Sequence, residues 1–237
     1  QSAPKEYVAT AVFGVATDSL DADGAILERA PMDFTEAELR TVMDRFVGTI
    51  AQVPPMVSAR KVGGKKLYEL ARQGVEIERE AREVQIHSLD LVEFAPQQYP
   101  EVTFRTVCST GTYVRSLADD MARALDGQAH LSALRRIRNG SLHVRDALTM
   151  SDAQSVAADG TIVERMLAPR HGLPDLPEIV IDPGVGAGVR NGLAFPAGAL
   201  GVEDAAPGPI RVVDEIGELI AIYRVGDGRA VPEVVLA

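Results

Sequence analysis

The chain has 237 residues, 46% of them hydrophobic, which is enough to bury the core of one large domain or two smaller ones. Its mean hydropathy is close to zero and no apolar run approaches the roughly 18 residues that span a bilayer, so we expect no membrane association. A single cysteine and four scattered histidines exclude an internal disulfide framework and a Cys/His zinc site. The net charge of −10 argues, at first sight, against a polyanionic partner.

The first part of the chain predicts strands followed by a helix. Residues 6–16 are rich in β-branched and aromatic side chains, and the aspartate-rich residues 18–24 separate them from another apolar run. The aspartates lack the EF-hand spacing, so we expect a solvated turn rather than a calcium site. Thr35 and Glu38 form a capping-box pattern, which predicts the start of a helix that ends near Gly48.

The middle of the chain predicts more strands and a second helix. Strands are expected around residues 84–91, with a bulge near Ser88, and around residues 102–108. A helix opens within residues 111–125, and residues 129–145 contain another strand.

The last part of the chain predicts a connecting helix and then a small β-rich domain. Ser151 and Gln154 form a further capping-box pattern, whereas proline and glycine become dense from about Pro174. Short strands and one hairpin turn follow, and the glycines of residues 184–188 are interpreted as turn residues because they lack the dinucleotide-loop register. Since strands and helices do not alternate regularly, the predicted fold class is α+β.

The distribution of charge is more informative than its total. Residues 60–145 contain 14 basic and 11 acidic side chains, so this stretch is net positive inside an acidic chain. Phosphate contacts depend on local potential, so these clusters predict a nucleic-acid contact, although ordinary solvated faces remain an alternative. The two basic clusters are Arg60, Lys61, Lys65, Lys66 and Arg72, and then Arg135, Arg136, Arg138 and Arg145.

Arg115 requires separate consideration because it lies one turn into a predicted helix. An arginine that faces a core needs a carboxylate or phosphate partner. Asp119 and Asp120 are possible local partners, and a catalytic carboxylate elsewhere in the fold is the functional alternative.

A series of distinctive segments runs in order along residues 5 to about 150. They are Lys5-Glu6-Tyr7, Phe13-Gly14, Thr17-Asp18, Asp21-Ala22-Asp23-Gly24, Gln52-Val53-Pro54-Pro55-Met56, Ser58-Ala59, residues 64–74, residues 108–115, and Ala129-His130-Leu131 through Leu134-Arg135-Arg136. In this order they resemble the TruB family of bacterial tRNA pseudouridine synthases. The tail is similar to the small β-barrel RNA-binding domain, of PUA type, that follows the catalytic domain in many members.

This resemblance implies a fold and an activity. The fold would be α+β, with a mixed or antiparallel sheet flanked by helices in a catalytic domain at 1–150, a connecting helix and linker at 151–177, and a PUA-like RNA-binding domain at 178–237. The activity would convert uridine-55 in the T-loop of tRNA to pseudouridine by flipping the base, breaking its glycosidic bond and reattaching it through carbon. No metal or organic cofactor would be needed. The partner would be the T-arm of tRNA, bound in the cytoplasm by a monomer without an obligatory protein partner.

The resemblance also implies roles for individual residues. Tyr7 would pack on the flipped base and take part in proton removal, since its ring stacks and its hydroxyl is polar. Arg115 would pair with the catalytic aspartate and keep it oriented and ionised, and Leu134 would form an apolar wall of the uracil pocket. Lys65, Lys66 and Arg72 would grip the backbone of the T-arm. The other implied substrate-binding residues are Tyr113, Tyr68, Arg135 and Arg136.

One departure from the family concerns the nucleophile. The family's nucleophilic aspartate lies in a Gly-Thr-Leu-Asp-Pro motif upstream of the Lys-x-Tyr segment, which is Lys5-Glu6-Tyr7 here, and this sequence contains no such motif. We therefore assign the nucleophile to none of its aspartates and expect the 237 residues alone not to catalyse.

Two other functions stay open from the sequence. One is a catalytically inactive tRNA-binding protein or RNA chaperone of the same fold. The other is the archaeal and eukaryotic relative that works in a guide-RNA complex, although the sequence shows none of the partner-binding surfaces that such a protein needs.

Overall fold

The structure, a computed structural model, describes residues 3–58, 61–62, 65–66, 75 and 77–236, with only the backbone given at 61–62 and 65–66. The chain divides into two compact units, residues 1–145 and 146–237. Among the described residues, no helix has the length and apolar character needed to cross a membrane.

The elements of the first unit are β1 (Lys5–Phe13), β2 (Val15–Thr17), β3 (Ile26–Arg29), α1 (Glu36–Arg45), β4 (Gly48–Gln52), β5 (Lys61–Val62), β6 (Lys65–Lys66), β7 (Arg82–Ala95), β8 (Glu101–Cys108), α2 (Val114–Arg123), β9 (Ala129–Asn139) and β10 (Leu142–His143).

A six-stranded antiparallel sheet forms the centre of the first unit, in the order β10-β9-β1-β8-β7-β4. The strand β1 therefore lies between two strands that follow it by about a hundred residues. The pairing of β7 with β8 shifts register between Ile86 and Ser88, which confirms the predicted bulge. The predicted helix after Thr35 is also confirmed, with its capping box formed.

The two helices that the structure describes in the first unit, α1 and α2, pack on one face of this sheet. Alternate residues of β1, namely Ala9, Ala11 and Phe13, point to that face and are fully buried. Alanine leaves room for a close approach by α2, which contacts both β1 and β9 and buries Leu117 and Met121. The apolar side of α2 thus packs this helix on the face formed by β1 and β9.

The second unit is a β-rich body with its own core. Its elements are α3 (Met150–Ala158), β11 (Glu178–Val180), α4 (Pro183–Arg190), β12 (Phe195–Pro196), β13 (Gly208–Val213), β14 (Leu219–Gly226) and β15 (Arg229–Val235). Its five-stranded sheet has the order β11-β13-β14-β15-β12, in which β11 and β13 pair in parallel and the other neighbours are antiparallel. Tyr223 is fully buried there and donates its hydroxyl to the Leu193 carbonyl at 2.8 Å. With the antiparallel sheet of the first unit, this body confirms the α+β fold class.

The predicted connecting helix is confirmed as α3, but two local predictions for the second unit are wrong. The N-cap of α3 is Thr149, whose hydroxyl accepts from the Asp152 amide, rather than Ser151. The glycines of residues 184–188 lie inside α4 rather than in a turn. Pro183 occupies the first turn of α4, where its fixed φ favours helix and its missing N–H costs nothing.

The capping box of α1 provides a stability test. Thr35 accepts from the Glu38 amide at 3.3 Å, and the Thr35 amide donates to the Glu38 carboxylate at 2.7 Å. We expect Thr35→Ala to lower the free energy of unfolding by about 1 kcal/mol. The matched control Thr41→Ala, in the exposed interior of the same helix, should change it by less than about 0.5 kcal/mol. Urea denaturation near neutral pH measures both, and equal losses for the two variants would contradict this account of the cap.

Candidate active site

Arg115 extends from the first turn of α2 into a set of acceptors brought together by the fold. One terminal nitrogen donates to Asp21 Oδ2 at 2.5 Å and to the Ser19 carbonyl at 2.9 Å. The other donates to the Val57 carbonyl at 2.8 Å. The local partners considered from sequence, Asp119 and Asp120, are therefore wrong, because the carboxylate that pairs with Arg115 lies in the turn after β2.

Asp21 is held as an ionised carboxylate. Burial opposes ionisation, but hydrogen bonds from Ser19 and Arg115, the positive charge of Arg115 and the Asp23 amide together lower the pKa of Asp21 below its usual value. The side chains of Asp21 and Arg115 are only 30% and 21% exposed, so water screens the pair incompletely. The expectation that all the aspartates of residues 18–24 lie in a solvated turn is thus wrong for Asp21.

The turn that carries Asp21 is tightly built. The Ser19 hydroxyl donates to Asp21 Oδ1 at 2.6 Å, and the Thr17 hydroxyl donates to the Asp21 carbonyl at 2.9 Å. Leu20 adopts a left-handed backbone conformation with φ of 60°, which a residue with a bulky side chain rarely adopts. Its carbonyl accepts from the Leu131 amide at 3.0 Å, which fixes the turn against β9. Among the described residues, no group of three or more His, Cys, Asp or Glu side chains could hold a metal ion.

The sheet register places three predicted site residues on one face. Tyr7 lies opposite Arg136, and Ala9 lies opposite Leu134, so Tyr7, Leu134 and Arg136 project to the same side as the buried Ala9. The helix α2, which carries Arg115, packs on this face. Leu134 is 49% exposed, unlike the buried residues of the same face, and Tyr7 packs against the edge of the core.

Arg135 projects to the opposite face of the sheet, next to an ion network that the sequence analysis missed. Glu6, only 4% exposed, accepts from Arg105 at 2.5 Å and from Arg138 at 3.2 Å. Part of the positive charge of the second basic cluster is therefore offset by Glu6. The alternation of β1 is the signal that could have shown it, since Glu6 and Tyr7 are neighbours in sequence and must face opposite sides.

The remaining predicted residues have less structural description. Tyr113 is the N-cap of α2, and its own side chain makes no capping hydrogen bond. Lys65 and Lys66 lie in β6, which pairs with β5 as a two-stranded ribbon. Tyr68 and Arg72 lie outside the described residues.

Asp119 and Asp120 act at the C-terminal end of α2 and do not pair with Arg115. Asp119 is buried, accepts from Arg123 at 2.8 Å and accepts from the Ala129 amide at 3.2 Å, which ties the end of α2 to the start of β9. Desolvation and the charge of Asp119 raise the pKa of Asp120 to about 6, against an opposing effect of Arg123.

Comparison with known proteins gives close sequence relatives. The family described as "TruB family pseudouridylate synthase (N terminal domain)" matches residues 1–114. The tRNA pseudouridine synthase B of Symbiobacterium thermophilum is 44% identical over 80% of this chain, which spans 62% of that relative. Those of Dechloromonas aromatica and Burkholderia mallei are 39% and 40% identical over 95% and 98% of the chain, which spans 72% and 76% of their lengths.

The fold recurs in solved structures. A Cbf5–Nop10–Gar1 complex superposes with a TM-score of 0.69, and an H/ACA RNP bound to a substrate RNA containing 2′-deoxyuridine with 0.68. Each match is 22% identical and covers all of this chain and 66% or 67% of the other. Together, fold and sequence define the class as pseudouridine synthases. Within that class, the chain belongs to the TruB family, since relatives of that name are about 40% identical over nearly all of its length.

Substitution by asparagine should change the free energy of unfolding in opposite directions at Asp119 and Asp120, two neighbouring residues of α2. The folded state keeps the Asp120 proton up to about pH 6, whereas the unfolded chain loses it near the ordinary aspartate pKa of 3.8. Stability should therefore fall as pH rises through that window, and Asp120→Asn should abolish the fall. Near pH 7, we expect Asp120→Asn to raise the free energy of unfolding by about 1 kcal/mol, allowing for solvent screening.

Asp119→Asn is the matched control, and it should lower the free energy of unfolding by about 1–3 kcal/mol, because an amide cannot replace the carboxylate toward both Arg123 and Ala129. Urea titrations near pH 4.5 and near pH 7 measure both variants. Losses of similar size for the two variants near pH 7 would show that Asp120 is not a destabilising buried carboxylate.

Proposed function

We propose that this chain forms the tRNA-binding and active-site scaffold of an enzyme that converts uridine-55 of the tRNA T-loop to pseudouridine. The observation that carries the proposal is the Arg115–Asp21 ion pair, made by the helix that packs on the sheet face of Tyr7 and Leu134. The relatives that share this sequence at 39–44% identity are named tRNA pseudouridine synthase B.

The reaction is an isomerisation in which no redox change occurs. The bond from uracil N1 to the ribose C1′ breaks and a bond from C5 to C1′ forms, while the C5 hydrogen leaves as a proton and N1 gains one. In a stacked loop these atoms are inaccessible, so the base must first be flipped out of the stack. Tyr7 offers a ring for stacking on the flipped uracil, and Leu134, half exposed beside it, offers an apolar wall.

Arg115 has the donors needed to orient a carboxylate at this site. A guanidinium carries five N–H donors, and its bonds to Asp21, Ser19 and Val57 use three of them. The remaining donors suit a second carboxylate, which we propose to be the nucleophile of the Gly-Thr-Leu-Asp-Pro motif implied by the family. Its pairing with Arg115 would keep the nucleophile ionised and aimed at the sugar.

RNA binding is proposed to rest mainly on the first unit. Residues 146–237 carry 14 acidic side chains, six arginines and no lysine. Three of these arginines, Arg190, Arg211 and Arg224, pair with carboxylates inside that unit. The net-positive residues 60–145 are therefore the better phosphate-binding surface. The PUA-like role of residues 178–237, the monomeric state, the cytoplasmic location and the lack of a protein partner stay predictions.

The direct test is product formation on tRNA transcripts labelled with tritium at C5 of uridine, because formation of the C5–C1′ bond releases that hydrogen. We define the completed protein as this chain joined to an upstream segment that carries Gly-Thr-Leu-Asp-Pro. We expect tritium release from the completed protein and none from the 237 residues alone. A transcript with cytidine at position 55 is the control and should release none. A folded completed protein that binds tRNA without product would overturn the proposal in favour of an inactive RNA-binding protein or chaperone.

Turnover and binding should be separable by substitution in the completed protein. Arg115→Ala should lower the single-turnover rate by roughly 10²–10³-fold with little change in tRNA affinity, because it removes an orienting charge rather than a phosphate contact. Asp21→Asn should act in the same direction. Lys65→Ala with Lys66→Ala should instead weaken binding and reduce the slope of log Kd against log salt by roughly 0.9 for each phosphate that is no longer neutralised. Equal binding losses for the Arg115 and lysine variants would refute this division.

A further inference from the structure

The N-terminus of α2 is held by a neighbouring extended segment instead of by its own cap. Tyr113 is the N-cap and makes no side-chain hydrogen bond to the first turn. The Gln52 side chain pairs with the backbone of Tyr113 on both sides: its Oε1 accepts from the Tyr113 amide at 2.8 Å, and its Nε2 donates to the Tyr113 carbonyl at 3.1 Å. Gln52 thus bonds to the backbone of one residue as a neighbouring strand would.

Two further contacts from the same segment reach the first turn of α2. The Ser116 hydroxyl donates to the Val53 carbonyl at 3.3 Å, and Arg115 donates to the Val57 carbonyl. We call residues 52–57 the strap. Pro54 and Pro55, in its middle, are buried and have fixed φ, which restricts the backbone between the two ends of the strap.

Gln52 is anchored and enclosed. It is the last residue of β4, where it pairs with Arg82 of β7, and it is 2% exposed. A buried amide that lost its partners would leave both a donor and an acceptor unsatisfied, so its two bonds to Tyr113 strongly favour one geometry. Asparagine has the same groups on a side chain one carbon shorter, and glutamate lacks the donor, so glutamine fits this place specifically.

We infer that Gln52 is a positioning residue: by fixing the Tyr113 backbone, it sets the first turn of α2 from which Arg115 reaches Asp21. This inference rests on the proposed function, because its consequence is a reaction rate. Arg115 follows Tyr113 by two residues, and all three of its acceptors lie in segments outside α2. A shift of that turn therefore changes every bond of the guanidinium at once. A displacement of about 1 Å at a reacting group can lower a rate by about 10²-fold.

The test uses Gln52→Met in the completed protein, because methionine keeps the length of the side chain and removes both hydrogen bonds. We expect the single-turnover rate to fall roughly 10–100-fold, with the dissociation constant for tRNA changed less than about threefold. Ser116→Ala is the matched control: it removes the strap's weaker bond to the same turn, and its rate should stay within about threefold of the parent.

A double-substitution cycle separates positioning from a general structural role. If Gln52 acts through the Arg115–Asp21 pair, Gln52→Met should lower the rate less than about threefold in an Asp21→Asn background. A role in stability alone predicts the full loss in both backgrounds, and that result would overturn the inference. If the Gln52→Met variant does not fold, Gln52→Asn replaces it. It should show the same selective loss of rate, because its side chain is one carbon too short for its amide to reach the Tyr113 backbone.

The failures of the two proposals are distinguishable. If the completed parent protein forms no pseudouridine, the proposed function fails and the inference about Gln52 fails with it. If the parent is active and both Gln52 variants retain rates within about threefold, only the positioning role is refuted.

Discussion

The first unit depends on one constraint: the guanidinium of Arg115 is largely buried. Such a group is tolerated only where carboxylate and carbonyl oxygens replace its hydration. For Arg115 those oxygens come from the turn after β2 and from the strap. Both segments must therefore be folded for Arg115 to be buried. The left-handed Leu20 and the hydroxyl contacts around Asp21 are local features that hold one of these acceptors in position.

The same physical rule acts on the other face of the sheet. Glu6 joins Arg105 of β8 and Arg138 of β9, so two positive charges on strands that flank β1 share one carboxylate. Because consecutive residues of β1 face opposite sides, the Glu6 network fixes the strand that presents Tyr7 on the other face. The sheet therefore separates the face of the Glu6 network from the face that carries the proposed chemistry.

Features encoded within a few residues could be predicted from the sequence, and those that depend on distant pairing could not. The capping box at Thr35 and the bulge near Ser88 are local, and both predictions are confirmed. The carboxylate that pairs with Arg115 lies 94 residues away in the sequence. Asp119 and Asp120 follow Arg115 within the same helix, so the sequence alone offered them as possible partners. Family resemblance predicts roles for Arg115, Tyr7 and Leu134, and these stay predictions. The separation of Arg135 from Arg136 follows from strand register, and a β-bulge near Tyr7 makes that register difficult to infer. The helix over Gly184–Gly188 was missed because glycine density outweighed the signal of Pro183 at its first turn.

The strand order of the first unit also bears on how this site assembles in time. The contacts that hold the first unit around the site join residues far apart in sequence: 61 residues for Gln52 with Tyr113, 99 for Glu6 with Arg105, and 132 for Glu6 with Arg138. The chain loses the conformational entropy of closing such long loops before the contacts can stabilise the fold. Proteins in which such long-range contacts dominate therefore fold slowly. On the ribosome, β9 emerges more than a hundred residues after its partner β1. The strand β1 must therefore remain unpaired on that edge while the intervening residues are made, a period in which exposed strand edges are open to misassociation.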